Sequence, residues 1–427
     1  MAQADSHVAA QGRAGGAPLF ALRDGALPLW RVLVAIGGVY VAQSLIGGVT
    51  FMGIPAVLRA EGAGLEQIGL VALLMLPWAL KFLWSPLAER YRIRPDGTRR
   101  SRRMVGAGQM ACAVLLAVLA FIGPQAVQLM FGVLALVATI AATVDIAADA
   151  FAVEQLAAEN RGWGNTAQVG GGYLGMVLGG GLFLVLVPWV GWTVAMGVMA
   201  LSMLVLATPF MLTPEPARTP PQEAHRPSLG FALRRPEVRA GLVIAVLFEA
   251  GVRLMQVLAG PFLVDRGLDL ASIGLVNGIG GVIMGLSGTV LGGLLVRLAG
   301  AEKAVLVAAA AQALALALLA AGALLELPAL PLAGLVLVKT MAMAMGFVTL
   351  YALLMGLSSL KQAGVDFTLF QCADAAVAGI AGFLAAGIAA RFGYGVTFVA
   401  AAVVAVIGLL LLPFLIGRAR AALHLKA

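Results

Sequence analysis

Residues 395–416 read GVTFVAAAVVAVIGLLLLPFLI, a run of 22 residues without a charged side chain. At a rise of about 1.5 Å per residue, a helix of this length crosses a bilayer core of roughly 30 Å. Backbone polar groups find no water in lipid, so a spanning segment of this kind must be helical. The run therefore predicts a transmembrane α-helix.

The rest of the chain repeats this pattern. Of its 427 residues, 61% are hydrophobic and 11% are charged, whereas soluble proteins carry roughly 25% charged residues. We therefore predict an all-α membrane protein with about twelve transmembrane helices. The predicted spans are residues 30–58, 65–87, 104–122, 127–150, 164–189, 192–212, 241–264, 270–297, 303–325, 330–359, 365–390 and 395–416.

A polar segment separates the first six predicted spans from the last six. It covers residues 213–240 and is rich in proline, a composition that does not continue a helix. The chain therefore divides into a tail (1–29), a six-helix half (30–212), a linker (213–240), a second six-helix half (241–416) and a tail (417–427). The first tail is polar, rich in Gly and Ala, and without the apolar core of a signal peptide, so we predict a disordered cytoplasmic tail.

The basic residues predict the orientation of the chain. Of the 28 Lys and Arg, 22 lie in the N-terminal segment, the loop 88–103, the linker and four alternate segments, against Arg59, Arg266 and Arg391 in the opposite loops. By the positive-inside rule, both termini and the linker are cytoplasmic.

An internal repeat supports the division into halves. The sequence LEQIGLV at 65–71 returns as LASIGLV at 270–276, with five identities, and Gln168 returns as Gln371 at nearly the same offset. Matches at the spacing of the two halves indicate an ancestral duplication.

Several functional classes are disfavoured by the sequence. The net charge of +8 could suggest nucleic-acid binding, but the basic residues lie in short loops between spans. No Walker A sequence is present, so nothing indicates an ATP-driven pump. Cys112 and Cys372 lie inside apolar blocks rather than in a disulfide or metal-binding pattern. We therefore expect no enzyme, catalytic residue, cofactor or metal site.

Charged residues inside spans are costly in lipid and mark partners, cavities or pathways. Lys81 lies six residues from the end of its span, where its side chain could reach the interface. Asp145 and Asp149, one helical turn apart on the fourth span, offer it a counter-charge. Two interpretations remain open for this group, a structural ion-pair cluster and a proton-coupling site.

The seventh span carries Glu249 and Arg253 four residues apart, an arrangement that favours an ion pair within the helix. Either the pair neutralises itself inside the bundle, or Arg253 attracts an anionic group of a cargo while Glu249 holds that group in place. We treat both as candidate substrate-binding residues. Trp78 and Tyr173 are candidate stacking surfaces for the same cargo.

The eleventh span carries Gln371 and Asp374 three residues apart on one face, so we predict that both line a central cavity. Asp374 lies too deep for a solvated face, and we predict that it carries the coupling proton. Lys339 of the tenth span is its predicted partner. Asp366, at the start of the eleventh span, is interpreted as a helix-start residue favoured by the helix dipole.

The stretch SPLAER at 85–90, followed by an arginine-rich segment, resembles the loop signature of the major facilitator superfamily, with Ser where Gly is usual. The resemblance implies a secondary transporter of the major facilitator fold. It also implies a conformational gating role for Glu89 and Arg90. The proline-containing fifth-span motif of drug exporters is absent, which counts against export.

In major facilitator proteins the fifth and eighth spans meet across the two halves, and both spans are rich in glycine here. The fifth carries Gly171, Gly175 and Gly179, and the eighth carries glycines at 274, 278, 281, 285, 288 and 292. These stripes fit ordinary helix packing or a smooth seam along which the halves rock.

Two pairs of segments bear on the cargo. PWALKFLWSPL at 77–87 and DIAADA at 145–150 look like the muropeptide (AmpG-like) and acetyl-CoA permease branch. GPFLVD at 260–265 and QAGVDFTLFQ at 362–371 look like siderophore permeases of the RhtX/FptX type. The second resemblance implies that a monomer in the bacterial inner membrane imports a ferric siderophore with protons. The alternatives are a muropeptide permease and, from another class, a non-transporting membrane sensor or scaffold.

Overall fold

The computed structural model describes residues 27–62, 70–94, 96–216 and 225–424, and these form a bundle of helices. The helices of the first half are α1 (Leu29–Ala60), α2 (Leu70–Leu83, continued by Ser85–Arg92), α3 (Ser101–Ile122), α4 (Val127–Gln155) and the two parts of Ala158–Met211. Those of the second half are α7 (Pro236–Asp265), α8 (Ser272–Ala299), α9 (Ala301–Leu324), α10 (Ala329–Leu357) and the two parts of Ala363–His424.

Both of the longest helices are broken at a glycine. Gly191 has φ 79° and ψ 165°, and Gly393 has φ 81° and ψ 171°, neither of which is helical. We therefore call their parts α5 (158–190) and α6 (192–211), and α11 (363–392) and α12 (394–424). Glycine suits both breaks because a side chain disfavours positive φ.

The all-helical membrane fold is confirmed, but the span count is not. Among the described residues, nine helices are long and apolar enough to cross a membrane, or ten if the bent α2 is one span. The two breaks at glycine would divide the longest of these further. Twelve spans therefore stays a prediction. Five of the seven residues of LEQIGLV, 65–69, lie outside the described residues.

Helix α2 bends by 61° between Leu83 and Ser85. Pro86 has no N–H to donate to the carbonyl of Phe82, one turn back. The hydroxyl of Ser85 donates to that carbonyl instead, at 3.1 Å. The bend lies between Lys81, which is buried inside the bundle, and the helical segment Ser85–Arg92, which carries Glu89.

The two halves share one hydrophobic core at the end of the bundle that carries the linker, called the linker end below. This shared core contains Ile36 and Phe151 of the first half together with Phe248, Leu354 and Phe367 of the second half. All five lie in helix segments that approach the linker.

At the opposite end each half has a core of its own. The first-half core includes Leu45 and Met196, and the second-half core includes Phe262 and Phe398. Neither of these cores contains a residue of the other half among the described residues. The bundle is therefore joined at the linker end and divided at the other.

The fifth-span glycines pack within their own half, so the seam interpretation is wrong for them. A Cβ on Gly175 would lie 2.4 Å from the carbonyl oxygen of Val41, and one on Gly179 would lie 2.0 Å from that of Leu45. The stripe thus lets the backbones of α5 and α1 approach closely.

The eighth-span glycines have three different surroundings. A Cβ on Gly288 would lie 2.2 Å from the Met341 carbonyl oxygen of α10, within the same half, whereas one on Gly278 would meet nothing within 4 Å. Gly285 faces the ring of Tyr173 across the halves. The predicted contact between α5 and α8 is therefore present, and Thr166 Oγ1 donates to the Thr289 carbonyl at 2.8 Å beside it.

The linker and the second tail are shorter than predicted. A short helix, Leu229–Arg234, lies inside the predicted linker, and α7 begins at Pro236 rather than at 241. Proline at the first helical position is favourable because its missing N–H would have no partner there. The last helix continues to His424, past the predicted end at 416. Most of the first tail lies outside the described residues.

Candidate functional site

The predicted ion pair on α7 forms. Arg253 Nε lies 3.2 Å from Glu249 Oε2, one helical turn away. Arg253 Nη2 also donates to both carboxylate oxygens of Asp374 on α11, at 2.7 and 2.8 Å. The guanidinium lies 4.8 Å from the ring centroid of Phe347, within range of a cation–π contact. We call Glu249, Arg253 and Asp374 the second-half cluster.

The predicted partner of Asp374 is wrong. Asp374 pairs with Arg253 and also accepts a hydrogen bond from Tyr351 Oη at 3.3 Å. Lys339 is buried in α10 and forms no ion pair among the described residues. The Arg253 guanidinium binds Glu249 and Asp374 through different nitrogens, a two-point arrangement that a single ammonium does not offer.

A second group of charges lies in the first half. Lys81 forms an ion pair with Asp145, as the sequence predicts. Asp149, one turn further on α4, accepts hydrogen bonds through Oδ1 from Tyr40 Oη at 2.8 Å and from Gln168 Nε2 at 3.0 Å. We call Lys81, Asp145 and Asp149 the first-half cluster.

Both clusters contain two carboxylates for one cation. With every group ionised, each therefore carries one uncompensated negative charge. In the described residues, Asp149 Oδ2 and both Glu249 carboxylate oxygens are buried without a hydrogen-bond partner. An uncompensated charge in such a setting favours proton binding or an incoming cation.

One cavity lies between the halves, and Asp374 of the second-half cluster is part of its wall. It measures about 390 Å³ and is lined by Ser44, Gln168, Val169, Gly172, Tyr173, Met176, Phe347, Tyr351, Gln371 and Asp374. The lining comes from α1 and α5 of the first half and from α10 and α11 of the second. Its mixture of aromatic, amide and carboxylate groups can stack on a cargo and hydrogen-bond to it.

Three of the predicted site residues line this cavity, namely Tyr173, Gln371 and Asp374. Glu249 and Lys339 are buried away from it, and Arg253 reaches its edge through Asp374. Trp78 does not line it, because its ring packs edge-on against Phe51 of α1 at a centroid distance of 6.4 Å.

Four site residues were missed by the sequence interpretation. Tyr40 bonds Asp149, Tyr351 bonds Asp374, and Ser44 and Phe347 complete the lining. Phe347 and Tyr351 are four residues apart on α10, so one helix face presents both rings. A tyrosine in the middle of an apolar span was the available signal, since its hydroxyl needs a partner there.

The two predicted gating residues lie at the linker end. The carboxylate of Glu89 accepts two hydrogen bonds from Arg92, at 2.8 and 2.9 Å, and a third from the backbone N–H of Gly364 on α11, at 3.1 Å. Arg90 Nε donates to the carbonyl of Pro227 in the linker at 3.1 Å. Glu89 thus contacts the other half, and Arg90 contacts the linker.

Asp366 supports the same end of the bundle, in agreement with a helix-start role. Its carboxylate accepts the backbone N–H of Ser359 and the amide of Gln362, both at 2.8 Å, and pairs with Arg235. These bonds fix the turn between α10 and α11.

Comparison with known proteins agrees with this architecture. Residues 32–382 match the family model of the Major Facilitator Superfamily. The chain is 28% identical over 363 residues to the anhydromuropeptide permease of Escherichia coli K12, covering 83% of this chain and 74% of that protein.

Two solved structures are similar in fold. A bacterial homologue of the iron transporter ferroportin, in an outward-facing state, has a TM-score of 0.67 at 16% identity, covering 92% of this chain and 99% of its own. The transporter FucP, in the outward conformation, has a TM-score of 0.66 at 15% identity, covering 91% and 98%. At these identities the similarity concerns the fold alone.

Proposed function

The chain belongs to the Major Facilitator Superfamily, and we propose that it imports an anhydromuropeptide across the bacterial inner membrane. The choice of cargo rests on the 28% identity to the Escherichia coli anhydromuropeptide permease over 363 residues. An alignment covering 83% of the chain necessarily includes helices of both halves, and therefore both walls of the cavity.

The cavity chemistry suits a sugar linked to a peptide. The rings of Tyr173, Phe347 and Tyr351 offer flat surfaces for a sugar ring. Gln168 and Gln371 offer amide groups for hydroxyl and peptide groups. A cargo carboxylate would reach Arg253 at the edge of the cavity by competing with Asp374.

The direction of transport follows from the proposed orientation. If the linker and both termini are cytoplasmic, the joined end of the bundle faces the cytoplasm and the divided end faces the periplasm. The structure would then be the outward-facing state of a cycle in which the halves rock about the central cavity. The contacts of Glu89 and Arg90 would close the cytoplasmic side.

We propose that a proton gradient supplies the energy for transport. Each cluster has one carboxylate more than it has cations, so either could bind a proton together with the cargo. The candidate coupling residues are Asp145, Asp149 and Lys81 of the first-half cluster, Asp374 of the second-half cluster, and Lys339, which is buried in α10 outside both clusters. Retention of full proton-driven accumulation by Asp374→Asn would move the coupling to the first half.

A ferric siderophore is the second candidate cargo. It is favoured by the segment QAGVDFTLFQ, which resembles siderophore permeases and ends at Gln371, a residue of the cavity wall. Under this alternative Arg253 would attract a carboxylate or phenolate of the siderophore.

One experiment separates the two cargoes. Cells lacking the gene are supplied with radiolabelled anhydromuropeptide or with single ferric siderophores, and uptake is compared with that of cells carrying the gene. Gene-dependent uptake of anhydromuropeptide supports the proposal. Gene-dependent uptake of a ferric siderophore alone supports the alternative, and uptake of neither favours a sensor or scaffold.

A further inference from the structure

The two halves are tied together in the middle of the bundle, where α2 passes α11. Lys81, which is 3% exposed, pairs with Asp145 of its own half and donates to Gln371 Oε1 of the other half at 2.5 Å. Trp78 lies one turn before Lys81 on α2, and its carbonyl accepts a hydrogen bond from the thiol of Cys372 at 3.6 Å. We call these two contacts across the halves the central tie.

The first-half anchor of the tie is a pair of buried carboxylates. Asp145 is 8% exposed and Asp149 is 0% exposed, one turn apart on α4, and Lys81 is the one cation paired with them among the described residues. Tyr40 and Gln168 both bond Asp149 Oδ1, which leaves Oδ2 without a hydrogen-bond partner.

Three further side chains complete the surroundings of the pair. Gln43 of α1 faces Asp145 and donates to Oδ1 at 2.8 Å in the amide orientation that satisfies both groups. Gln371 enters from the second half, where its amide faces Asp149 as well as Lys81. Tyr351 of α10 lies within electrostatic range of Asp149.

This inference rests on the proposed transport function and deepens it. We propose that the Asp145–Asp149 pair is the proton-binding site of the transporter, and that Gln371 is the positioning residue through which its protonation acts on the other half. In this proposal the central tie connects a titratable site in the first half with the contact to α11 that must break when the halves move.

The mechanism follows from donor and acceptor chemistry. When the pair is ionised, Asp145 holds Lys81 where it reaches Gln371, and Asp149 faces the Gln371 amide as an acceptor. A proton on Asp149 can turn this acceptor into a donor that faces an N–H donor. A proton on Asp145 removes the ion pair that positions Lys81. In both cases the tie weakens, and α11 can move away from α2.

The reactivity of Cys372 reports whether the tie is formed, because its thiol is 7% exposed and hydrogen-bonded within the tie. Cys112 lies in the first-half core and is 1% exposed. In a Cys112→Ala background, the rate of Cys372 alkylation by N-ethylmaleimide is measured in cargo-free proteoliposomes at one fixed pH. Asp145→Asn and Asp149→Asn mimic the protonated carboxyls. Each should raise the rate by about tenfold, since a charge-assisted hydrogen bond is lost.

The matched control is Asp265→Asn, the same chemical change at the far end of α7, which should leave the rate unchanged. Parent-like labelling of both Asn variants would overturn the proposal, as would equally fast labelling of the control. If neither single Asn variant folds, Lys81→Met/Asp145→Asn removes the ion pair at constant net charge and should also label faster; a parent rate would again overturn it. Because no cargo is present, a wrong cargo assignment would fail the uptake experiment but not this one.

Discussion

Arg253 holds the second-half cluster together, and Arg253→Met should therefore destabilise the protein. The guanidinium bonds both oxygens of Asp374 and lies 3.2 Å from Glu249, whose side chain is fully buried. Its removal leaves two carboxylates without a counter-charge. The loss of one partner of a buried ion pair costs about 3–5 kcal/mol, and we expect the free energy of unfolding to fall by that amount.

A double-mutant cycle with Asp374→Asn separates the ion pair from packing. Asn is neutral, so the double variant Arg253→Met/Asp374→Asn has no unpaired charge at position 374. Its loss of unfolding free energy should therefore be smaller than the sum of the losses in the two single variants. Two charge-assisted hydrogen bonds join the pair, which predicts a coupling energy of about 2–4 kcal/mol. Arg253→Lys is the matched control, because it keeps the charge but not the two-point contact, and its loss should be intermediate.

Equilibrium unfolding in mixed detergent micelles measures these losses, and uptake by cells measures transport. Both variants with Met at position 253, the single and the double, should lose uptake, because the cargo carboxylate lacks its cationic partner. An additive cycle would refute the coupling. Near-normal uptake by Arg253→Met at equal membrane abundance would leave the cluster with a structural role only.

Three further predictions concern packing and orientation. Gly179→Ala places a Cβ 2.0 Å from a backbone carbonyl of α1, whereas Gly278→Ala meets nothing within 4 Å. Size-exclusion profiles should therefore show folded protein for the second variant and not for the first; equal profiles would contradict this packing. Gly285→Ala places a Cβ 2.2 Å from the Tyr173 ring, so uptake should fall at unchanged membrane abundance, and normal uptake would argue against a cargo contact there. A reporter fused to the C-terminus should be active in the cytoplasm, and activity only in the periplasm would reverse the orientation.

The fold class could be predicted because apolar blocks longer than a bilayer is thick have few alternatives. Two ion pairs, Lys81 with Asp145 and Glu249 with Arg253, could also be predicted, since charges in such blocks are rare and need a partner. Helix ends could not be placed to the residue because proline both ends and begins helices, as Pro236 shows at the start of α7.

Contacts between helices distant in sequence could not be predicted. The partner of Asp374 depends on how α7, α10 and α11 rotate against one another, which their packing decides. The place of Phe347 could not be predicted because aromatic residues occur on any face of a membrane helix. The hydroxyl of Tyr351 indicated a polar partner but not that the partner is Asp374. The glycine stripe of α5 was a clear packing signal, but it does not say which helix it faces, and that helix is α1.

We propose that the chain carries cargo through the cavity between its halves and that a proton gradient supplies the energy. The most direct test is uptake of radiolabelled anhydromuropeptide by proteoliposomes containing the purified protein, with the outside acidified and ferric siderophores assayed in parallel. We predict accumulation above the external concentration that a protonophore and Arg253→Met both abolish. If folded protein took up every cargo only at the level of protein-free liposomes, this transport mechanism would be wrong.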